Sequence, residues 1–293
     1  MEVINNCPIC GCQSQNEFLV CKDFTLSMKN FSIAQCKDCG FKFTNPRPQK
    51  SELGNYYKSE NYISHSNTKK GIVNFLYQLI RKYTLRKKLA LINGLSPKGR
   101  ILDIGCGTGE FLKVCQNDGW NISGIEPDSD ARSLAQKNHD LHIEDESEIK
   151  KFNESNFDII TMWHVLEHVP DLNERVEDLY KLLKKSGYAV IAVPNASAAD
   201  AAIYGKFWAA YDVPRHLYHF SEKTILALFE KHQMECVKIL PMMFDSYYVS
   251  ILSEKYKTGT TNLIKGFING FNSNLSSKKH GYSSQIYIFK KKR

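Results

Sequence analysis

The sequence predicts an α/β fold: a parallel sheet wrapped by helices, behind a small cysteine-rich module. From residue 100 onward, the short apolar runs "RILDI", "NISGIE", "FDIITM" and "YAVIAVP" alternate with helical stretches. That is the pattern of successive βαβ units. The first run leads straight into a loop with Gly105, Gly107 and Gly109, the kind of turn that brings a backbone close to a ligand. The module is predicted by two Cys-x-x-Cys knuckles, "CPIC" at 7–10 and "CKDC" at 36–39.

The elements follow in chain order. Residues 1–48 form the module. Cys7, Cys10, Cys36 and Cys39 can surround one zinc ion, and each knuckle is followed by a glycine, Gly11 or Gly40, that lets backbone N–H groups turn toward sulfur. Four thiolates leave no open coordination position, so the zinc is expected to be structural, and a module this small gains much of its stability from it. "NPRP" at 45–48 marks a linker. Residues 49–97 read as a helical linker or cap, with apolar residues at 72, 76, 79, 80 and 83 and basic ones at 81, 82 and 86–88. Residues 98–293 form the main domain. Within it, Asp171 is expected to cap a helix that Gly187 ends. An aromatic-rich, basic insertion at about 245–283 reads as a lid or a dimer contact, or more plainly as surface-packed helices.

Composition narrows the class. No apolar run reaches the roughly 18 residues of a membrane helix, and the start has no basic-then-apolar pattern. With nine scattered or knuckle-paired cysteines, a cytoplasmic protein is expected. The net charge of +8 is uneven: residues 1–97 hold 14 Lys/Arg and 6 Asp/Glu, 98–244 hold 16 and 23, and 245–293 hold 9 and 2. The basic ends suit an anionic substrate, a membrane surface or nucleic acid, or serve solubility.

The glycine loop has a chemical bias. A dinucleotide fingerprint reads G-x-G-x-x-G, but here the third glycine's place is Glu110. A carboxylate in the first helical turn repels a pyrophosphate, and Asp103 adds a second negative charge. The loop therefore suits a positively charged ligand without phosphates. S-adenosylmethionine, with its sulfonium and ammonium, is such a ligand. Glu126 in "GIEPD" lies 21 residues after Gly105, where a carboxylate binds ribose hydroxyls in such units.

On "DIGCGTG", Glu126 and "FDIITMWHVLEHVPD", residues 100–243 resemble class I S-adenosylmethionine-dependent methyltransferases. They are most similar to the branch containing ubiquinone-biosynthesis O-methyltransferases and methyltransferases of cell-surface sugar pathways. The resemblance implies a Rossmann-like sheet of seven strands, the last antiparallel. It assigns Asp103, Gly105 and Gly107, with Cys106, to the methionine part of the cofactor. It places Glu126, with Pro127, at the ribose, Asp145 at the adenine side, and Met162 and Trp163 at a strand end touching the cofactor.

"HVLEH" at 164–168 matches the H-x-x-E-H of some zinc proteases, but it directly follows an expected buried strand, and the methyltransferase reading accounts for it. The acceptor side is expected in "WAAYDVPRHLYHFS" at 208–221. Trp208 and Tyr218 offer aromatic surface, and Arg215 suits a phosphate or carboxylate. His216 is the first candidate base, with His164 and His219 behind it. Asp212 is expected to orient a histidine, and Tyr211 to bind or deprotonate the acceptor. The expected reaction is methyl transfer to a hydroxyl or carbon of a small anionic acceptor, such as a nucleotide- or lipid-linked sugar. A ribosomal RNA methyltransferase is the alternative, on the zinc module and basic ends. Against it, "WHVLEH" stands where many base-amino methyltransferases have a Pro-Pro-Tyr/Phe-type motif, so nucleic acid is not the expected partner. A third reading is a non-catalytic zinc-ribbon module on an inactive shell, which the intact cofactor motifs oppose. A homodimer through the insertion is consistent with these features.

Overall fold

The computed structural model describes residues 1–57 and 72–292, except the side chains of 72–79. The apolar face expected at positions 72, 76 and 79 therefore lies outside the described residues. The main sheet has the order β5-β4-β6-β7-β10-β9. Its strands are β4 (Arg100–Ile104), β5 (Asn121–Ile125), β6 (Phe157–Trp163), β7 (Leu183–Pro194), β9 (Met234–Pro241) and β10 (Ser284–Lys291). β5, β4, β6 and β7 pair in parallel, and β10 runs antiparallel to both of its neighbours. The central strands carry helices on both faces, so they read as near-continuous apolar runs. Leu102, Ile160, Met162, Ala189 and Ile191 are fully buried among them.

Among the described residues the sheet has six strands where the resemblance implied seven. The place beside β5 is held by residues 141–144, which touch it through one parallel bridge, Ile125 to Glu144. The segment goes no further as a strand because Asp145 accepts from the Ser147 N–H and starts a 3-10 turn at Glu146.

The helices are α1 (Ile72–Asn93), α2 (Glu110–Asn117), α3 (Ser129–His139), α4 (Leu172–Leu182), α5 (Ala199–Tyr204), α6 (Glu222–Lys231), α7 (Asp245–Thr258) and α8 (Leu263–Leu275). The helix expected to run to Gly187 stops at Leu182. The Ser155 and Asn156 N–H groups bind the carbonyls of Lys181 and Leu182, and β7 begins at once. The insertion forms the α7–α8 hairpin, as surface-packed helices.

The N-terminal strands β1 (Gln15–Lys22), β2 (Asn30–Cys36) and β3 (Lys42–Thr44) form an antiparallel sheet. Its fourth strand is β8 (Tyr218–His219), from the far part of the chain. Phe41 and Phe43 pack against Tyr218 and Phe220 across this junction. The segment expected to face an acceptor is thus partly built into the N-terminal sheet.

Candidate cofactor and acceptor site

At the end of β4, Gly105 (φ +69°) and Gly107 (φ +55°) need backbone that side chains resist. A Cβ on Gly105 would strike Val165, whereas one on Gly107 would meet nothing within 4 Å. The loop's open side is therefore at Gly107. Glu126, at the end of β5, accepts from the N–H groups of Gly107 (2.8 Å) and Asp128 (3.0 Å). It has lone-pair capacity left for a diol. Arg132 gathers this corner: it donates to the Glu126 carbonyl (2.6 Å) and the Pro127 carbonyl (2.9 Å) and pairs with Asp145 (2.9 Å).

Asp103 is buried, and its Oδ1 accepts from Thr161 Oγ1 at 2.5 Å. Burial raises its pKa to about 7 against the help of Thr161 and Lys88, with Glu126 adding repulsion. Burial, Asp103 and Glu126 keep Cys106 a neutral thiol. Met162 is wholly core, because strand alternation turns it away from the cleft, which corrects its expected cofactor contact. Trp163 remains half-buried, its ring edge-on to Phe111 at 5.6 Å. Its Nε1 is buried without a partner, a donor position available to a ligand. Lys88 of α1 lies 4.1 Å over the Trp163 ring. Burial lowers its pKa, and the carboxylates of Asp103 and Asp245 support its charge. An acidic, phosphate-averse loop, an orphan indole N–H and a free carboxylate edge at Glu126 fit S-adenosylmethionine.

Beyond Trp163, His164 stands at φ +58°. Its Nε2 pairs with Asp245 of α7 (3.0 Å) and its Nδ1 faces Glu167 (3.4 Å). Burial opposes the imidazolium, but these two carboxylates raise its pKa to about 10. Held between two carboxylates that favour its imidazolium, His164 is poorly placed to act as a base. Glu167 is fully buried, and its closest partner among the described residues is the His164 imidazole at 3.4 Å. Ligand atoms of Glu167, His168 and His216 lie within 4.8 Å of one another. His216 Nδ1–H donates to the Ala210 carbonyl (2.8 Å), while His168 Nδ1 meets both the Tyr57 hydroxyl (2.9 Å) and the Arg215 carbonyl (3.1 Å). The His216 imidazole is thereby left with its Nε2 as acceptor. Burial, then His216, lowers the His168 pKa to about 4.

The other residues of 208–221 point inward. The Arg215 guanidinium is 1% exposed and holds Asp23 (3.0 Å) and both Asp212 oxygens (2.5 and 2.9 Å). It has no free fork for an acceptor, and Asp212 serves Arg215 instead of orienting a histidine. Trp208 Nε1 donates to buried Asp200 at 2.9 Å. Tyr218 Oη donates to the Pro170 carbonyl (2.8 Å) and accepts from Arg47 (2.9 Å). Tyr211 is buried against Trp208 and His219, and burial holds its phenol protonated. His219 is buried on Thr44 at 3.2 Å and kept neutral by burial, His216 and Lys42. These residues build the inter-sheet junction, which corrects their expected acceptor roles. The sequence reading missed Lys88, Glu167 and Asp245. Lys88 and Asp245 look like solvated helix charges until the fold brings them together, while Glu167 was visible only as the fourth residue of "HVLEH".

In the N-terminal sheet, Cys7 and Cys39 sulfurs lie 3.5 Å apart, as do those of Cys10 and Cys36. All four fall within 4.8 Å of one another, close to the spacing around a tetrahedral ion with Zn–S of about 2.3 Å. Gly11 and Gly40 share φ +77°, so the knuckles turn alike. Burial disfavours the Cys36 thiolate, but the N–H groups of Cys39 and Asp38 draw its pKa down to about 7.

An S-adenosylmethionine-dependent methyltransferase is the class that this sheet order and loop chemistry define. The family model described as a methyltransferase domain matches residues 77–239, and the chain belongs to that family. A ubiquinone biosynthesis O-methyltransferase from Glaesserella parasuis is 29% identical over 170 residues, 52% of this chain and 72% of that protein. One from Rickettsia typhi is 27% identical over 182 residues, 59% of this chain and 73% of that protein. Among solved structures, a SAM-dependent methyltransferase from Thermotoga maritima has a TM-score of 0.50 at 19% identity, covering 75% of this chain and 97% of that one. Geranyl diphosphate C-methyltransferase from Streptomyces coelicolor gives 0.50 at 13%, covering 70% and 77%. These two likenesses are of fold.

Proposed function

We propose that this methyltransferase acts on a hydroxyl or carbon of a small anionic acceptor, of the nucleotide- or lipid-linked sugar kind, with His216 taking the acceptor's proton. The observation that carries this reading is the closeness of His216 to the buried Glu167 carboxylate. The Ala210 carbonyl fixes the imidazole tautomer, and the imidazole lies within 4.8 Å of the buried Glu167 carboxylate, which also faces His164. S-adenosylmethionine supplies an electrophilic methyl group when bound. Asp103 and the glycine loop hold the cationic end of such a ligand, Glu126 its ribose, and Asp145 its adenine side. Proton transfer to His216 creates an imidazolium next to Glu167, where a poorly solvated carboxylate stabilises it strongly. The relatives named for O-methylation support oxygen as the accepting atom. The test is S-adenosylhomocysteine formation across a panel of nucleotide sugars and lipid-linked sugars. Turnover confined to RNA, with tight binding at physiological salt, overturns the reading.

We also infer one structural zinc per chain on Cys7, Cys10, Cys36 and Cys39. The sulfur spacing and matched knuckles support it. Elemental analysis of chelator-free protein is expected to give one zinc per chain, lost in the Cys36→Ser, Cys39→Ser double variant. Full zinc content in that variant removes the assignment.

A further inference from the structure

Helix α8 is packed the opposite way from most surface helices. Its buried residues are Gly266, Gly270 and Ser273. Its exposed residues include Leu263, Ile264, Phe267, Ile268, Phe271 and Leu275, each 47–77% accessible. At 100° per residue these six fall on one side of the helix. The small residues explain the inversion. A Cβ on Gly266 would lie 2.6 Å from the Ile251 Cα, and one on Gly270 2.8 Å from the Ser246 carbonyl oxygen. The glycines let α8 lie hard against α7, and the bulky residues are left outside. The apolar area continues onto the start of α7: Asn274 Nδ2 donates to the Met243 carbonyl at 3.0 Å, and Met243, Phe244 and Tyr248 are themselves exposed. An apolar patch of this extent on a soluble surface marks an interaction site.

Charge decides the partner. Lys255 and Lys257 end α7 next to the start of α8, and Lys278 and Lys279 follow its other end; all four are exposed. Among the described residues none of the four has a carboxylate partner. The hairpin's two acids are spent internally, Asp245 on His164 and buried Glu254 on Lys265. A second copy placed face to face would bring two sets of like charges together. Anionic headgroups would neutralise them while the apolar row enters the acyl boundary. No helix among the described residues is long and apolar enough to cross a membrane, so α8, about 20 Å long, would lie in the interface plane.

We propose that α8, with the start of α7, is a docking surface for an anionic lipid bilayer. Asp245 of the same hairpin pairs with His164 beside the cofactor strand end, so the docking element also reaches the candidate site. The acceptor is then lipid-linked, a step that rests on the proposed acceptor chemistry.

The test is co-sedimentation of the full chain with phosphatidylcholine vesicles, with and without phosphatidylglycerol. Binding is expected only with phosphatidylglycerol, and it is expected to weaken with salt. The Ile264→Glu, Phe267→Glu double variant is expected to abolish it. Lys278→Ala with Lys279→Ala is expected to weaken it on the order of tenfold. Circular dichroism and S-adenosylhomocysteine binding, unchanged in all variants, show that the fold and cofactor site survive. Vesicle binding equal to wild type in the Ile264→Glu, Phe267→Glu variant overturns the proposal. So does a stable dimer in sedimentation velocity that these substitutions dissociate. Vesicle binding without methyl transfer to any sugar acceptor leaves the docking surface standing and removes the acceptor assignment alone.

Discussion

The glycine loop and the 208–221 segment were both rich in functional residue types, yet the structure uses them differently. In the loop, Gly105, Gly107 and Glu126 stand where βαβ geometry requires them. In 208–221, Trp208, Tyr211, Arg215, Tyr218 and His219 are buried, and His216 alone keeps an open ring nitrogen beside a carboxylate. Backbone-dictated positions can be read locally. Versatile side chains cannot, because a guanidinium or phenol that suits a ligand also suits a buried carboxylate or carbonyl.

The largest expected effect tests His216 against its neighbours. His216→Ala is expected to lower turnover about 10²–10⁴-fold, the scale of general-base catalysis, with S-adenosylhomocysteine affinity nearly unchanged. Initial rates and calorimetry check both. A turnover loss under threefold would return the proton to another group. His216→Gln asks whether hydrogen bonding alone suffices.

One residue earlier the readout should change from rate to stability. Arg215→Ala leaves Asp23, nearly inaccessible, without its cation. Removing one partner of a buried ion pair costs about 3–5 kcal/mol, and the low end is expected here because Asp23 still accepts from the Thr25, Leu26 and Ser27 N–H groups and the Ser27 hydroxyl. Urea unfolding should show the loss, and Arg215→Lys should restore little of it, because lysine cannot span two carboxylates as a planar fork. A stable Arg215→Ala protein that had lost only acceptor affinity would restore the anion-binding role.

These contrasts mark what was legible. The parallel βαβ core and the knuckles follow from apolar periodicity and from cysteine and glycine spacing, all local properties, while the antiparallel last strand came only with the family resemblance. The seventh strand failed because Asp145 capped a turn, a competition that pattern alone does not rank. Arg215 was misread because Asp23 lies 192 residues away in sequence. Lys88 and Asp245 look like ordinary helix charges until α1 and α7 converge over Trp163. In α8, the glycines hold the meaning, and residue-type averages hide it.

On the cofactor side, Glu126→Ala is expected to weaken S-adenosylmethionine binding by about 1.5–3 kcal/mol, the worth of a charge-assisted hydrogen bond. Glu126→Gln should lose less, because the amide oxygen still accepts. Equal affinities for wild type and Glu126→Ala by calorimetry would take the ribose away from this carboxylate.

The smallest effect is a pH dependence at Asp103. Burial holds its pKa near 7, above the roughly 3.9 of an unfolded aspartate. Between those values the folded chain keeps a proton that the unfolded chain has released. This residue's contribution to stability therefore falls as pH rises through that window and levels off above about 7. A positively charged ligand favours the carboxylate, so binding should release that proton below about 7. Affinity should then weaken as pH falls, by at most about tenfold per unit from this one group. Asp103→Asn should bind more weakly at high pH, and its affinity should follow a flatter pH profile. Comparing calorimetric proton release in the two proteins removes any titration of the ligand itself. If both release the same number of protons on binding, Asp103 does not face the cofactor's charge.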